Sequence, residues 1–262
     1  MRPPPAPRTP LDVVAVLRAA GSVFAEDEAA LIEAEGRTPD AVAALVARRV
    51  AGEPLEHLLG WAQFCGARVA VDPGVFVPRR RTELLVREAV AGTRRCAVVV
   101  DLCCGSGAVG AAVAAAVGAG ALYAVDVDPA AVACARRNVA PLGGHALLGD
   151  LDEPLPRGLA GRVDVLTANA PYVPTDAIAT MPPEARLHEP RVALDGGADG
   201  LDVQRRVVAV ARRWLAPGGR LLVETSAGQA DRTADAFARH GLAARVVTDD
   251  DLDGTVVVGT PA

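Results

Sequence analysis

The sequence predicts an α/β fold in which a mainly parallel sheet is covered by helices on both faces. From Thr82 onward, short apolar segments typical of buried strands alternate with segments of helical periodicity. Successive parallel strands need a crossover connection, usually a helix, and such helices cover both faces of the sheet. The last two strands are separated only by the acidic loop DDDLDG. This short connection predicts an antiparallel pair at that end of the sheet.

Seven segments have the composition of strands. They are CAVVVDL, ALYAVDV, HALLGDL, VDVLTANA, GRLLVET, ARVVTD and GTVVVGT. The clearest helices between them are PAAVACARRNVA and DVQRRVVAVARRWLA. The stretch from Ala108 to Val125 is apolar and has the length of a membrane span. It is mostly Ala and Gly and lies between Asp101 and Asp126, so we interpret it as a buried helix flanked by two strands.

The first part of the chain predicts a different organisation. Residues 1–60 are predicted to form a small helical domain that begins with a disordered, proline-rich segment, MRPPPAPRTP. Helical spacing is clear in LDVVAVLRAA and in DAVAALVARRV, where Asp40 is the expected cap. Residues 61–81 change to alternation, with turn signals at Gly66 and Pro73-Gly74, which predicts a β-hairpin linker. Residues 82–262 form the α/β domain.

Composition excludes several classes of function. The formal net charge is -5 and the sequence pI is about 5.4, which argues against a protein that binds mainly by neutralising phosphates. The chain contains no Lys, so it has neither a Schiff-base lysine nor the lysine of a P-loop. Its five cysteines include no C-x-x-C pair. We therefore expect no disulfide framework or zinc site, and a reducing cytoplasm as the compartment.

A glycine-rich loop follows the first strand of the α/β domain. Gly105, Gly107 and Gly110 match the pattern G-x-G-x-x-G, and Asp126 lies about 20 residues further on, where an acidic residue can bind a ribose. Glycines at these positions allow a tight turn and a close approach of the backbone to a ligand at a helix N-terminus. By itself this pattern is equally typical of a dinucleotide site.

Three aspartates at the ends of consecutive strands favour a ligand other than a dinucleotide. Asp101 precedes the glycine loop and suits a ligand with a cationic amino group, Asp126 can accept from both ribose hydroxyls, and Asp150 can accept from an adenine amino group. This combination favours a nucleoside with a positively charged tail, and S-adenosylmethionine has that chemistry. The phosphates of a dinucleotide would be repelled. The alternative is that the aspartates only cap the helices that follow them.

The loop after the fourth strand contains the tetrapeptide Asn169-Ala170-Pro171-Tyr172. It resembles the N-P-P-Y signature of methyltransferases that act on planar nitrogens, whose delocalised lone pair makes them poor nucleophiles. The Asn169 side-chain oxygen and the Ala170 backbone carbonyl can accept the two N–H groups of such a nitrogen. Pro171 stiffens the turn, and the ring of Tyr172 can stack on the planar group. The alternative is an ordinary Asn-Pro type turn.

The wider sequence is similar to the HemK/PrmC-type protein-(glutamine) methyltransferases from about Glu53 to the C-terminus. The segments that carry this resemblance are PLEHLLGWAQFCGARVAVDPGVFVPRRRTELLV, the glycine loop, NAPYVPT and EPRVALDGGADGLDVQRRVV. The resemblance implies a seven-stranded, Rossmann-like class I methyltransferase domain behind a small helical substrate-recognition domain. It also implies S-adenosylmethionine as cofactor, no metal, and a glutamine amide as acceptor, as in the Gly-Gly-Gln loop of peptide-chain release factors.

The resemblance assigns roles to residues by position. Those expected to hold the cofactor are Asp101, Leu102, Cys103, Gly105, Ser106, Gly107, Asp126, Val127, Asp150, Leu151 and Asn169. Those expected to hold the acceptor glutamine are Asn169, Ala170, Pro171 and Tyr172. Those expected to line a cleft between the two domains are Pro78, Arg79, Thr82 and Glu83.

The chain departs from the family pattern at three places. Ala170 stands where the family usually has its first proline, which keeps the backbone carbonyl but predicts a looser loop. Cys103 takes the place of a glycine, and we expect a small buried filler rather than a nucleophile, at little cost if its φ is negative. The helical lobe before the PRRRTE segment is shorter than is usual in the family. Because that lobe is expected to help grip the protein substrate, glutamine methylation is a safer prediction than the release factor itself.

Three other functions remain open from the sequence. A methyltransferase acting on adenine N6 or guanine N2 in nucleic acid shares the N-P-P-Y chemistry, but it needs a basic groove or a recognition domain. An NAD-binding oxidoreductase depends on the glycine loop alone and leaves NAPY unexplained. A catalytically silent protein that binds S-adenosylmethionine is kept open by the change at Ala170.

Overall fold

A computed structural model describes residues 11–262 of the chain. The proline-rich start, predicted to be disordered, lies outside the described residues. The chain forms two compact units, Met1–Gly60 and Trp61–Ala262. By its contacts, the hairpin that follows Gly60 belongs to the second unit.

The described part of the first unit is helical. Its helices are α1 (Val13–Ala19), α2 (Ala25–Gly36), α3 (Pro39–Val50) and α4 (Leu55–Leu59). The core of this unit contains Leu17, Ile32 and Val46, which are 3% exposed or less. Side chains from three different helices therefore share one small apolar cluster, as the helical spacing of the sequence requires.

The N-terminus of α3 differs from the sequence prediction. Thr38 is the cap, because its hydroxyl accepts from the Ala41 N–H at 3.3 Å. Pro39 takes the first helical position, where its missing N–H and fixed φ cost nothing. Asp40, predicted to be the cap, lies inside the first turn, where its charge still favours the helix dipole.

The second unit begins with an antiparallel hairpin, β1 (Trp61–Phe64) and β2 (Ala67–Ala70). The alternating residues that follow, up to Val77, form no strand. Their alternation arises because Val71, Val75 and Val77 are almost fully buried in a cluster with Ala131 and Cys134. The buried valines therefore belong to a segment with a turn at residues 72–75 that packs on a helix without pairing in the sheet.

The large sheet has seven strands, as predicted. They are β3 (Val98–Leu102), β4 (Ala121–Asp126), β5 (His145–Leu148), β6 (Val163–Ala168), β7 (Leu215–Glu224), β8 (Leu242–Asp249) and β9 (Gly254–Pro261). Their order across the sheet is β5-β4-β3-β6-β7-β9-β8. The first five strands in that order are parallel, whereas β9 is antiparallel to both β7 and β8. The predicted antiparallel end of the sheet is thus confirmed.

Helices cover both faces of this sheet. They are α5 (Glu83–Val90), α6 (Ala108–Val117), α7 (Pro129–Val139), α9 (Asp202–Trp214) and α10 (Ala230–Arg239), and a short helix, α8 (Pro183–His188), lies in the connection before α9. One apolar core includes residues of α5, α6 and α7, and a separate core includes residues of α9 and α10. The doubly wound α/β class predicted from the alternating pattern is therefore confirmed.

The apolar stretch from Ala108 to Val125 is divided between two elements. Helix α6 ends at Val117, and β4 begins at Ala121. Residues 11–262 contain no helix whose length and apolar character would allow it to cross a membrane.

The strand order creates a crevice at one edge of the sheet. Strand β3 lies between β4 and β6, and the chain leaves β3 and β6 in opposite directions across the sheet. In open α/β sheets, ligands bind beyond the carboxyl ends of the strands at such a switch point. The fold therefore selects the loops after β3 and β6 as the place to look for a site.

Candidate active site

A cavity of about 400 Å³ lies in the second unit at the carboxyl ends of β3, β4, β5 and β6. Its volume falls within the range of about 300–1,000 Å³ that is usual for small-molecule sites. The glycine loop and the loops after β4 and β5 form one wall. The loop after β6, several residues between 181 and 194, part of the segment before α5 and two residues of α9, Val203 and Arg206, form the rest.

The glycine loop brings the start of α6 into contact with β3. A Cβ at Gly110 would lie 2.9 Å from the Asp101 Cβ, so only glycine permits this approach. The Gly110 N–H donates to Asp101 Oδ2 at 2.9 Å. Because Ala108 and Val109 line the cavity, α6 begins at the cavity wall. The third glycine of the motif thus acts in helix–strand packing.

Asp101 is buried in the sheet yet contributes to the cavity wall. Its Oδ1 accepts from the Thr167 hydroxyl at 2.9 Å. Burial raises the pKa of Asp101 to about 7, against the opposing effect of the hydrogen bonds from Gly110 and Thr167. Nearby Asp126 raises this pKa further. A cationic group bound in the cavity would favour the ionised carboxylate.

Asp126, at the end of β4, holds the glycine loop. Its Oδ2 accepts from the Gly105 N–H at 2.8 Å, and its Oδ1 accepts from the Asp128 N–H at 2.9 Å. Burial raises its pKa, and these N–H groups oppose the rise. Helix α7 is capped by Asp128, whose Oδ1 accepts from the Ala130 N–H at 2.9 Å. Asp126 therefore does not act as a simple helix cap.

Asp150 follows β5 and pairs with a residue of α9. Its Oδ2 lies 2.7 Å from Arg206 Nη2, and both residues line the cavity. The pair is substantially exposed, so its contribution to stability is small. Such a carboxylate can exchange its partner for a ligand at little cost.

The backbone of Cys103 differs from the negative φ on which the sequence expectation depended. Its φ is +54°, so a side chain occupies the left-handed region where the family has glycine. This conformation costs an L-residue about 1–2 kcal/mol, so the replacement is not free. Burial, with the nearby carboxylates of Asp126, Asp101 and Asp150, raises the pKa of the Cys103 thiol far above its usual range. A thiol of this kind has little thiolate character and does not favour a nucleophilic role.

The loop after β6 is held in place by neighbouring segments. Ala170 is fully buried, and the Tyr172 carbonyl accepts from Gln229 Nε2 at 3.0 Å. The Val173 N–H donates to the Leu194 carbonyl at 3.1 Å, within a short parallel bridge. The backbone that follows Ala170 is therefore fixed by hydrogen bonds, which offsets the looser loop expected without the first proline.

Two side chains of this loop bind buried polar groups. The Tyr172 hydroxyl donates to Glu224 Oε1 at 3.3 Å, and Asn169 Nδ2 donates to Thr82 Oγ1 at 3.3 Å. Burial, together with the charge of Glu224, raises the pKa of Tyr172 to about 12. The tyrosine therefore stays a neutral donor, anchored by its hydroxyl with its ring at the cavity wall.

Most residues predicted to hold the cofactor lie on the cavity wall, namely Asp101, Cys103, Gly105, Ser106, Asp126, Val127, Asp150, Leu151 and Asn169. Leu102 and Gly107 do not line it. Leu102 is fully buried in the core because strand alternation turns it away from Asp101. Gly107 faces α7, since a Cβ there would lie 3.1 Å from the Ala135 Cβ.

The residues predicted for the acceptor side are placed in the same cavity. Asn169, Ala170, Pro171 and Tyr172 all line it, as do Pro78, Arg79 and Thr82. Glu83 does not, because its Oε1 accepts from the Cys65 N–H at 3.0 Å, at the turn of the hairpin. The expected position of these residues between two domains stays a prediction.

Sequence reasoning missed three charged residues. Arg206 pairs with Asp150, and Glu224 binds Tyr172. Glu189 lies on the cavity wall, where its Oε1 accepts from the Val77 N–H at 3.1 Å and from Arg79 Nη2 at 2.5 Å. Glu189 belongs to the segment EPRVALDGG that carried the family resemblance, so that segment could have suggested it. Arg206 lies further along the same resembling segment, whereas no local pattern marks Glu224. The described residues 11–262 contain no group of three or more His, Cys, Asp or Glu side chains placed to hold a metal ion.

Comparison with known proteins agrees with this geometry. The methyltransferase small domain family matches residues 66–246. A 16S rRNA N2 methyltransferase of T. thermophilus, solved with AdoMet and guanosine, has the same fold, with a TM-score of 0.55 and 21% identity over 77% of this chain and 50% of that one. The fold and the cavity define a class I methyltransferase, with S-adenosylmethionine as the methyl donor.

Sequence relatives give the finer family. A release factor glutamine methyltransferase of Geobacter sulfurreducens is 42% identical over 199 residues, covering 75% of this chain and 69% of the relative. A 4-amino-L-phenylalanine/4-methylamino-L-phenylalanine methyltransferase of Streptomyces pristinaespiralis is 39% identical over 187 residues, covering 68% of this chain and 63% of the relative. The chain belongs to the methyltransferase small domain family and, within it, to the family of the release factor glutamine methyltransferases.

The raised pKa of Asp101 predicts a pH-dependent affinity for S-adenosylmethionine. Below about pH 7 the ligand-free carboxyl is mostly protonated, and binding the cationic tail must first ionise it. The dissociation constant should therefore fall roughly fivefold between pH 6 and pH 7. Isothermal titration calorimetry in buffers of different ionisation enthalpy would measure both the affinity and the proton released on binding.

Asp101→Asn is the matched control for that titration. The variant should bind S-adenosylmethionine more weakly and lose most of the pH dependence. The folded-state pKa is raised, so protonated Asp101 stabilises the ligand-free wild type at low pH, and that stability falls as pH rises through about 7. The free energy of unfolding of Asp101→Asn should not fall in this way as pH rises. An equal pH slope in both proteins would exclude Asp101 as the titrating group.

The positive φ of Cys103 predicts an unusual order of stabilities. Cys103→Gly should be about 1 kcal/mol more stable to unfolding than Cys103→Ala, because both lack the thiol and only alanine keeps a Cβ in the left-handed region. Urea unfolding of the two ligand-free variants measures the difference. At Cys104, whose φ is not positive, the glycine variant should be the less stable one. Equal stabilities of the two Cys103 variants would contradict the assignment of strain.

Proposed function

We propose that this methyltransferase transfers the methyl group of S-adenosylmethionine to the side-chain amide nitrogen of a glutamine in a protein, and that this protein is a peptide-chain release factor. The observation that carries the proposal is the position of Asn169. It lies on the wall of the cavity beside Ala170, with its nitrogen bonded to Thr82. That bond leaves its oxygen as an acceptor on the side of the cavity.

The acceptor chemistry follows from the nature of an amide. Its nitrogen is a poor nucleophile because the lone pair is delocalised into the carbonyl. Asn169 Oδ1 and the Ala170 backbone oxygen can each accept one of its N–H groups, which favours the rotamer and electron distribution needed for attack. The ring of Tyr172, anchored by Glu224, offers a flat face on which the planar amide can stack.

The donor half of the cavity is supplied by the acidic strand ends. Bound S-adenosylmethionine supplies an electrophilic methyl carbon attached to a sulfonium centre. Asp126 and Asp150 are the carboxylates for its ribose and adenine, and Asp101 is the counter-charge for its amino group. The remaining task of the protein is in-line positioning of the two reactants, and no residue of this chain need become covalently modified.

A release factor is the acceptor that the family relatives favour. Release factor glutamine methyltransferases of several bacteria are 37–43% identical to this chain. The five cysteines are free, which is consistent with action in the reducing cytoplasm. One relative is named for an aromatic amine instead, and that nitrogen is also conjugated to a planar system. The amine is therefore the alternative acceptor to test, together with nucleic acid.

The test is methyl transfer from labelled S-adenosylmethionine to four acceptors, each assayed separately. They are a release factor, the same factor with its Gly-Gly-Gln loop glutamine changed to alanine, 4-amino-L-phenylalanine, and total RNA. We expect label only in the intact release factor, because only it presents an amide to Asn169. Label in the amine or the RNA, with none in the release factor, would replace the proposed acceptor.

Asn169→Ala should abolish transfer and change the affinity for S-adenosylmethionine little. The variant loses one of the two acceptors for the amide N–H groups, whereas the carboxylates that hold the donor are untouched. We expect kcat to fall by about 100-fold or more. Single-turnover kinetics measures the chemical step, and calorimetry measures binding of the donor. Full turnover in this variant would exclude the amide-holding role.

Ala170→Pro should keep activity within a few-fold of the wild type. It restores the family tetrapeptide without removing the carbonyl at this position. The following backbone is already fixed by Gln229 and Leu194, so the extra rigidity adds little. The measurement is kcat/KM for the release factor. A rise of tenfold or more would show instead that the alanine loosens the loop in solution.

A further inference from the structure

Glu224 is a buried carboxylate whose only role so far is to anchor the Tyr172 hydroxyl. It ends β7, is 1% exposed, and does not line the cavity. Its Oε1 accepts from the Tyr172 hydroxyl at 3.3 Å. Its backbone carbonyl accepts from Gln204 Nε2 at 3.1 Å. The side chain is thus held directly behind the residues that do line the cavity.

Thr82 lies between Glu224 and the acceptor site. Its side chain is buried, and its Oγ1 accepts from Asn169 Nδ2 at 3.3 Å. Among the described residues, Glu224 Oε2 is buried without a hydrogen-bond partner. The Thr82 hydroxyl is the neighbour that most strongly lowers the pKa of Glu224. It is therefore the group that can donate to Glu224 while it accepts from Asn169.

The direction of the hydrogen bonds among Glu224, Thr82 and Asn169 follows from which of these groups can donate and which can only accept. An ionised carboxylate only accepts hydrogen bonds, and a hydroxyl has one proton. A lone pair of Thr82 Oγ1 accepts from Asn169, so the proton of this hydroxyl is free to turn to the carboxylate of Glu224. Only the nitrogen of the Asn169 amide can donate to that lone pair. The amide oxygen is consequently turned to the cavity.

We propose that Glu224 is a positioning residue that sets the direction of these hydrogen bonds, and that it thereby fixes which end of the Asn169 amide faces the acceptor. An asparagine amide has almost the same shape after a 180° rotation. The rotated amide would present N–H groups to the N–H groups of the acceptor. Ionised Glu224 disfavours that state. The importance of the direction for catalysis rests on the proposed amide acceptor.

The charge of Glu224 responds to several neighbours. Burial raises its pKa, whereas the Thr82 hydroxyl, Arg81, the Tyr172 hydroxyl and Arg79 lower it. The net effect is a raised pKa, so Glu224 becomes protonated at a higher pH than an exposed glutamate. Once protonated it can donate to Thr82, and the preference for one orientation of Asn169 is lost. The activity should therefore decline on the acid side as Glu224 gains its proton.

The first test is the pH profile of kcat at saturating S-adenosylmethionine for the wild type and Glu224→Gln. Saturation keeps Asp101 ionised, so its titration does not contribute. We expect the wild type to lose activity on acidification and the variant to be slower by at least tenfold at neutral pH, with no acid limb from this group. The dissociation constant of S-adenosylmethionine should stay within threefold. Wild-type kcat together with an unchanged profile in Glu224→Gln would overturn the proposal.

Variants at Thr82 test the same chain of groups without touching the carboxylate. Thr82→Val keeps the shape of the side chain and removes the hydroxyl, so it should lower kcat to a similar extent. Thr82→Ser should restore most of that loss. Thr248→Val makes the same chemical change at an exposed position of β8 and serves as the matched control. This series remains decisive if Glu224→Gln unfolds, and full activity of Thr82→Val would also overturn the proposal.

Nuclear magnetic resonance gives a readout that needs no acceptor. The sequence contains two asparagines, Asn138 and Asn169, so asparagine-labelled protein shows two side-chain amides, and Asn169→Ala assigns them. We expect slowed exchange of an Asn169 amide proton with water in the wild type. Faster exchange in both Glu224→Gln and Thr82→Val would support the proposal, and unchanged exchange in folded Glu224→Gln would contradict it. Because no acceptor is present, this result is independent of the proposed function.

Discussion

The contact between Asp101 and the first turn of α6 is the interaction on which the rest of the site depends. It joins β3 to α6 through Gly110 and to β6 through Thr167. Burial of a carboxylate is unfavourable by itself, and two hydrogen bonds offset that cost. The same carboxylate forms part of the cavity wall. One group therefore sets the approach of helix to strand and also places a carboxyl group on the cavity wall, and a side chain larger than hydrogen at position 110 would disturb both.

The two halves of the cavity are built in different ways. The donor half consists of short loops directly after parallel strands, so strand order alone brings its carboxylates together. The acceptor half is one loop after β6 that is supported by distant segments. Gln229 holds its backbone, and Thr82 and Glu224 hold its side chains. Gly196 also packs closely behind it, since a Cβ there would lie 2.7 Å from the Pro171 carbonyl. Loss of one proline from such a loop removes only a small part of its support.

This division gives a physical reason why relatives of one family can carry different acceptor names. The residues proposed to hold the donor stand at the ends of strands of the sheet. The groups proposed to recognise the acceptor nitrogen are hydrogen-bond acceptors and a flat ring, features that suit any planar nitrogen. Specificity for one acceptor must then come from the cavity rim, where Val127 and Val192 are exposed, and from surfaces beyond it.

The sequence by itself determined what depends on local patterns. Periodicity identified the strands of the sheet and its antiparallel end, and position after a strand placed Asp101, Asp126, Asp150 and the NAPY loop where the cavity lies. Tertiary structure decided what depends on backbone angles and on contacts between distant segments. The left-handed φ of Cys103 and the inward orientation of Leu102 are set by how the loop closes on the sheet. Glu224 accepts a hydrogen bond from Tyr172, 52 residues away, and Thr82 accepts one from Asn169 across 87 residues. No sequence pattern encodes such pairs, because burial in the assembled sheet alone brings these polar groups together and obliges them to bond.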